Sequence, residues 1–298
     1  MEEPPIRLLP WHQKKQHKTD KEANMLKEGF LTETPFTEDS YDTPENFPRS
    51  IWEYFCLGSR LSFYIRNFHV FYDSGKRSRT GDFDFQAIAD HALQNVRITE
   101  SCGGKIHVRG LNNLSKFKEP AVIIANHMSL LETACLHAFI MPRRDFCFVI
   151  KRSLFDVPFF GDIMRHMDCI AVDRVNPRDD FKIVMEEGKK RLDAGRSVVI
   201  FPQHTRSEVF DPDTFNSIGV KLAKQASAPI IPLALRTDFL ANGKWIKDLG
   251  PIRRKNPVWF QFGEPVMKVE GTGKAEHTLI ADFIAGKVKE WGGKVKEK

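Results

Sequence analysis

The chain has 298 residues, 41% of them hydrophobic and 28% charged, a balance that suits a core-forming globular protein and argues against a wholly disordered or fibrous one. Lys and Arg number 45 against 39 for Asp and Glu, and the resulting +6 charge favours phosphates, anionic lipid surfaces or nucleic acid as partners. The five cysteines are scattered and form no C-x-x-C pair, so they read as small buried hydrophobes in a reducing compartment.

The start, M-E-E-P-P-I-R, lacks the basic and apolar stretches of a signal peptide, and none is expected. No window holds roughly 18 uninterrupted apolar residues, so no membrane-spanning helix is expected either. Residues 1–48 are polar and Pro-containing and read as a poorly ordered arm. Residues 49–100 read as an amphipathic helical region. Ser50 and Glu53 have capping-box spacing, and Tyr54, Leu57, Leu61, Tyr64, Phe68 and Phe71 follow at steps of three and four. Such a helix either packs on the domain or lies on a membrane, where K-R-S-R at 76–79 adds attraction to anionic lipid.

Residues 101–298 read as an α/β domain. After a helical stretch from Phe83, apolar runs alternate with helical segments: K-I-H-V-R, A-V-I-I-A, F-C-F-V-I, C-I-A-V, S-V-V-I-F, P-I-I-P-L-A-L and V-W-F-Q-F. The intervening helices are expected near 130–140, 179–193 and 214–226, with a last one near 276–291. This alternation predicts an α/β fold with a mostly parallel central sheet flanked by helices, behind an N-terminal amphipathic helical extension.

In open α/β sheets ligands bind beyond the carboxyl ends of the strands. Here those ends carry Asn126-His127, Lys151, Asp173-Arg174, and the run P-Q-H-T-R-S with His204, Arg206 and Ser207. A base among several cations at one sheet edge predicts an anionic substrate, with arginine giving bidentate, charge-assisted bonds to phosphate. Taken singly, each cation also fits a solvated loop.

His127 and Glu132 are five residues apart, about 140° around an ideal helix, so they meet only if His127 stays in the loop. Ser129 and Glu132 have capping-box spacing, which gives Glu132 a structural job. Its first-turn carboxylate also reaches back toward the imidazole, fixing one nitrogen and leaving the other as a base. H-M-S-L-L-E is not a zinc-protease motif, His166 and Cys169 lack further partners for a metal, and G-x-S-x-G, P-loop and G-x-G-x-x-G are all missing. No metal and no cofactor are expected. The aromatics cluster with apolar runs and do not alternate with cations, which argues against a nucleic-acid surface.

Four blocks in order resemble the glycerolphosphate and lysophosphatidic acid acyltransferase family: N-H-M-S-L-L-E against N-H-x-x-x-x-D, K-R-S-L-F-D-V-P-F-F-G-D-I-M-R-H-M-D-C-I-A-V-D-R (151–174), F-P-Q-H-T-R-S (201–207) against F-P-E-G-T-R-S, and A-P-I-I-P-L-A-L (228–235). The resemblance covers about residues 105–292. It implies O-acyl transfer from acyl-CoA or acyl carrier protein, as co-substrate, to a lysophosphatidic-acid-like acceptor in phospholipid synthesis. It implies His127 as general base, Glu132 as its orienting acid, and direct attack without an acyl-enzyme. Arg174 and Arg206 would hold the acceptor phosphate, with Lys151, His204 and Ser207 nearby. Phe155, Val157, Phe159 and Phe160 would line an acyl groove, or else belong to ordinary core.

Glycerol 3-phosphate, another lysophospholipid or an acylated amino acid are the alternative acceptors. A non-catalytic lipid-binding protein on the same scaffold is the alternative class. The expected location is cytoplasmic, peripheral on the inner face of the membrane. Glu132 stands in place of aspartate, a version similar to that of the related lipid A acyltransferases. Gln203 and His204 replace Glu and Gly: Gln203 keeps hydrogen bonding without charge, and His204 adds bulk.

Overall fold

Buried, β-branched runs become strands and amphipathic stretches become the helices that cover them. The computed structural model describes residues 34–297. In chain order the strands are β1 (Tyr41–Asp42), β2 (Ile106–Arg109), β3 (Val122–Ala125), β4 (Phe146–Lys151), β5 (Ile170–Val172), β6 (Ser197–Ile200), β7 (Val209–Phe210), β8 (Ile230–Arg236), β9 (Val258–Phe262) and β10 (Lys294–Val295). The helices are α1 (Ile51–Phe55), α2 (Arg60–Thr80), α3 (Phe85–Ser101), α4 (Leu131–Ile140), α5 (Phe160–His166), α6 (Pro177–Asp193), α7 (Ile218–Ala226) and α8 (Lys274–Glu290).

Eight strands form one sheet in the order β1-β2-β9-β8-β3-β6-β4-β5. Pairing is parallel except for β1 with β2 and β8 with β9, so the expected mostly parallel sheet is present. Every residue of β3 and β6 is buried, as central parallel strands covered on both faces require. One face packs against α2 to α5 through residues such as Phe63, Val96, Phe139 and Met164. The other packs against α6, α7 and α8 through Val184, Leu222, Ile280 and Ile284. Because β3, β6, β4 and β5 are parallel neighbours, their carboxyl ends share one edge.

Two expectations change. The polar arm expected over 1–48 is instead packed from residue 34 onward; residues 1–33 lie outside the described part. Phe36 is buried edge-to-face against Phe139, with centroids 4.7 Å apart. The Tyr41 and Thr43 hydroxyls each donate to Glu100 Oε1 at 2.7 Å. One aromatic anchor and an edge-strand pairing outweigh the polar composition of the segment.

The single helix expected from Ser50 is two helices. Leu57 and Gly58 have φ of 49° and 66°, the Gly58 N–H closes the first helix on Glu53 O at 2.7 Å, and Ser59 caps the second. The expected apolar stripe is also not the buried one. α2 buries Ser62, Phe63, Asn67, Val70, Ser74, Gly75 and Ser78, while Leu61, Ile65, Phe68 and Tyr72 are exposed. Small residues let the helix approach closely: a Cβ on Gly75 would lie 2.6 Å from Phe159 Cβ.

Candidate active site

β3 ends at Ala125, and Asn126 locks the exit. Its amide donates to Leu235 O and accepts from Leu235 N–H, both at 2.8 Å, so the loop is stapled to β8. His127 follows in the loop, as expected. Its N–H donates to Gln203 Oε1 at 2.6 Å, and its carbonyl accepts from the Ser207 N–H at 2.9 Å. The turn after β6 therefore grips the histidine backbone from both sides.

The imidazole stacks on Phe201 with centroids 4.3 Å apart and planes 19° apart. Nδ1 lies 2.6 Å from Glu132 Oε2, with the imidazole 14% exposed and the carboxylate fully buried. Glu132 Oε1 accepts from the N–H groups of Met128 and Ser129, each at 2.8 Å, and from the Thr237 hydroxyl. So Glu132 caps the helix entrance with one oxygen and holds the imidazole with the other. With Nδ1 engaged by Glu132, Nε2 is the ring nitrogen on the other side of the imidazole from the carboxylate.

His127 lines a cleft of about 910 Å³. Lys151, Arg174, His204 and Arg206 line it too, so four of the five expected phosphate ligands meet the base. Arg174 adopts φ 60°, held there because the N–H groups of Asp173 and Arg174 each donate to Asp180 at 2.9 Å. Its guanidinium donates to the His204 carbonyl at 2.8 Å. Burial holds the Arg174 pKa below the usual arginine value; Asp180 opposes this and the Arg206 cation adds to it.

Ser207 does not join the cleft lining. Its hydroxyl donates to Val209 O at 2.8 Å and accepts from Val209 N–H at 3.2 Å, so it builds the turn. Val157, Phe159 and Phe160 line the apolar part of the cleft with Leu154 and Ile150. Phe155 is outside that lining: its ring lies 5.8 Å from the Arg165 guanidinium.

Two charged cleft residues escaped the sequence motifs. Lys247 and Asp248 come from the loop after β8. Asp248 pairs with Arg206, and Lys247 Nζ donates to Arg206 O at 3.1 Å. Burial and then the Arg206 cation lower the Lys247 pKa from its ordinary value. The run K-W-I-K-D (244–248) was the available signal, a charge cluster around two apolar residues, but it matched no motif. Gln203, which keeps the hydrogen bonding expected of it, accepts from the His127 N–H, and Thr237, which no motif marked, donates to Glu132. Among the described residues no group of His, Cys, Asp and Glu has a metal-binding arrangement.

The family model described as Acyltransferase matches residues 105–236. Over 172 residues the chain is 34% identical to the 1-acyl-sn-glycerol-3-phosphate acyltransferase of Pseudomonas aeruginosa, covering 57% of this chain and 62% of that one. It is 31% identical over 134 residues to a chloroplastic 1-acyl-sn-glycerol-3-phosphate acyltransferase of Arabidopsis thaliana, covering 44% of this chain and 36% of that one. The match thus spans less than two thirds of each of these relatives. The fold is similar to the crystal structure of the 1-acyl-sn-glycerophosphate (LPA) acyltransferase PlsC from Thermotoga maritima, with TM-score 0.59 at 18% identity over 83% of this chain and 100% of that one. Residues 105–236 are thus similar to the acyltransferases that include the 1-acyl-sn-glycerol-3-phosphate acyltransferases, and the likeness to the solved structure extends to the fold.

Proposed function

We propose that the protein is an O-acyltransferase that moves a fatty acyl group from acyl-CoA or acyl carrier protein to the free hydroxyl of a lysophosphatidic-acid-like acceptor. One observation carries the reading: a buried carboxylate holds Nδ1 of His127 at the rim of a cleft that is cationic on one side and apolar on the other. Arg174, Arg206 and Lys247 offer donors to the phosphate. His127 Nε2 takes the proton of the acceptor hydroxyl as its oxygen attacks the thioester carbonyl. The tetrahedral intermediate collapses, the C–S bond breaks, and the imidazolium returns its proton to the leaving thiolate. No covalent enzyme intermediate is required.

The exposed apolar side of α1 and α2 supports a peripheral position on an anionic, inner membrane surface, where the lipid acceptor resides. No helix among the described residues is long and apolar enough to cross a membrane. The intact His127–Glu132 pair argues against a lipid binder without chemistry. The test is purified protein with labelled acyl-CoA or acyl carrier protein thioester and a panel of acceptors: lysophosphatidic acid, glycerol 3-phosphate, other lysophospholipids and acylated amino acids. Diacylated phosphate product is expected from the first. Labelled product from another acceptor alone would reassign the substrate, and none from any acceptor would reject acyl transfer.

A further inference from the structure

Beside the catalytic cleft lies a second cavity of about 410 Å³. Its walls include Phe63, Tyr64 and Ile65 of α2, Leu131 and Ala134 of α4, and Leu240. The polar groups in its lining are already engaged. The Asn67 amide donates to Phe63 O at 2.9 Å, the Tyr64 hydroxyl donates to Gly250 O at 2.7 Å, and Asp248 pairs with Arg206. Phe68, Phe71 and Leu130 line both cavities and so stand between them, and Asp248 and Leu249 also border both.

The inference rests on the acyl-transfer reading, in which two chains are present at once, one on the donor and one on the acceptor. The acceptor's chain is tied to its phosphate through a glycerol unit, so it must lie within short reach of the cations. The second cavity meets that condition, because Asp248 on its border contacts Arg206 and directly follows Lys247. Its mouth includes Ile65 and Phe68, which are 47% and 64% exposed on the apolar side of α2, where a lipid tail would enter. Val157, Phe159 and Phe160 belong to the first cleft alone. We propose that the second cavity holds the acyl chain already carried by the phosphorylated acceptor, and that the Val157–Phe160 wall holds the incoming donor chain.

Calorimetric titration of the full chain with butyl, octyl and dodecyl phosphate tests this without catalysis. Wild-type affinity is expected to rise by about two- to fourfold per methylene, as apolar burial dictates. Ala134→Phe, which fills the cavity, flattens that dependence; Ile65→Trp, at a half-exposed position, does the same if the first variant fails to fold. Val157→Trp leaves the dependence in place and instead shortens the preferred donor chain in transfer assays. No chain dependence in wild type, or its loss in Val157→Trp but not in the cavity variants, overturns the assignment. Chain-dependent binding that Ala134→Phe abolishes, in a wild type that acylates none of the acceptors in the panel, upholds the cavity as a lipid-phosphate site and rejects acyl transfer.

Discussion

The two carboxylate oxygens of Glu132 divide the work of the site: Oε1 gathers two backbone N–H groups and the Thr237 hydroxyl, and Oε2 holds His127 Nδ1. A carboxylate so committed keeps the imidazole ring and tautomer fixed before substrate arrives. His127→Ala should lower kcat by about 10²–10⁴-fold, the usual range for a general base. The melting temperature should stay near that of wild type, because the ring sits at a strand-end loop; near-wild-type turnover would reject the mechanism. Gln203 allows a second test. Its side chain accepts the His127 N–H and is buried, so it acts on the loop and not on the acceptor phosphate. Gln203→Glu, which restores the acid usual in this motif, keeps that acceptor and should leave the acceptor KM unchanged. Gln203→Leu leaves the N–H unpaired, costing about 1–3 kcal/mol of stability and lowering kcat. A large KM effect with little change in kcat would instead place Gln203 against the phosphate.

At the scale of elements, α2 is held by small residues. Gly75→Ala puts a methyl group 2.6 Å from Phe159 Cβ and 2.7 Å from its Cα, so backbone and not a flexible side-chain end must give way. Overpacking of this kind typically costs about 1–3 kcal/mol, so thermal unfolding should show a lower melting temperature, and activity should fall as the Phe159 wall shifts. An unchanged melting temperature would mean that α2 is free to move. α4 carries a second buried group, His137, stacked on Phe146 at 4.6 Å; burial pushes its pKa down from 6.5 to about 3. The ring is neutral in the fold, whereas the unfolded chain gains the proton first as the pH drops below 6.5. Stability is therefore fully present above that pH and declines by about 1.4 kcal/mol per unit toward acid. Urea unfolding at about pH 5 should show a loss of about 2 kcal/mol that His137→Phe removes. Seven of the ten described strands and most helices could be read from the sequence because apolar runs alternated with amphipathic ones, whereas the two-residue strands β1, β7 and β10 carry too short a pattern; His127, Arg174 and Arg206 could be read because they follow parallel strands, and Glu132 from its spacing to His127. The break at Leu57-Gly58 was hidden by a stripe that continues in register across it. Lys247 and Asp248 were hidden because a long loop, and no motif, brings them to the strand ends. Ser207 looked like a phosphate ligand by position, yet its hydroxyl is used by the turn, and Phe155, expected in the acyl groove or in ordinary core, packs on the core beneath Arg165.

Across the whole molecule, many of the exposed large apolar side chains fall on the α1 segment, α2 and the loop after β8. Trp52, Tyr54, Phe55 and Leu57 of the α1 segment are exposed, Leu57 by 93%, and α2 adds Ile65 and Phe68. The loop bearing Trp245, 92% exposed, and Ile246 is tied to α2 through Arg60 donating to Leu249 O at 2.8 Å and Tyr64 donating to Gly250 O at 2.7 Å. These exposed apolar side chains, on a chain of net charge +6, support the proposed attachment to an anionic bilayer. Full burial of a large apolar side chain contributes about 1.5–3 kcal/mol, so replacing Phe55 and Leu57 together by Asp should weaken vesicle binding at least about tenfold. Both residues lie outside the cleft lining, so acylation of a short-chain, monomeric acceptor should stay within about twofold of wild type. Sedimentation with vesicles containing anionic lipid, at low and high salt, measures the first quantity and separates apolar from electrostatic attachment. Undiminished binding by the double variant would move the membrane contact to another part of the chain, and a parallel loss of activity on the monomeric acceptor would make α1 part of the catalytic fold.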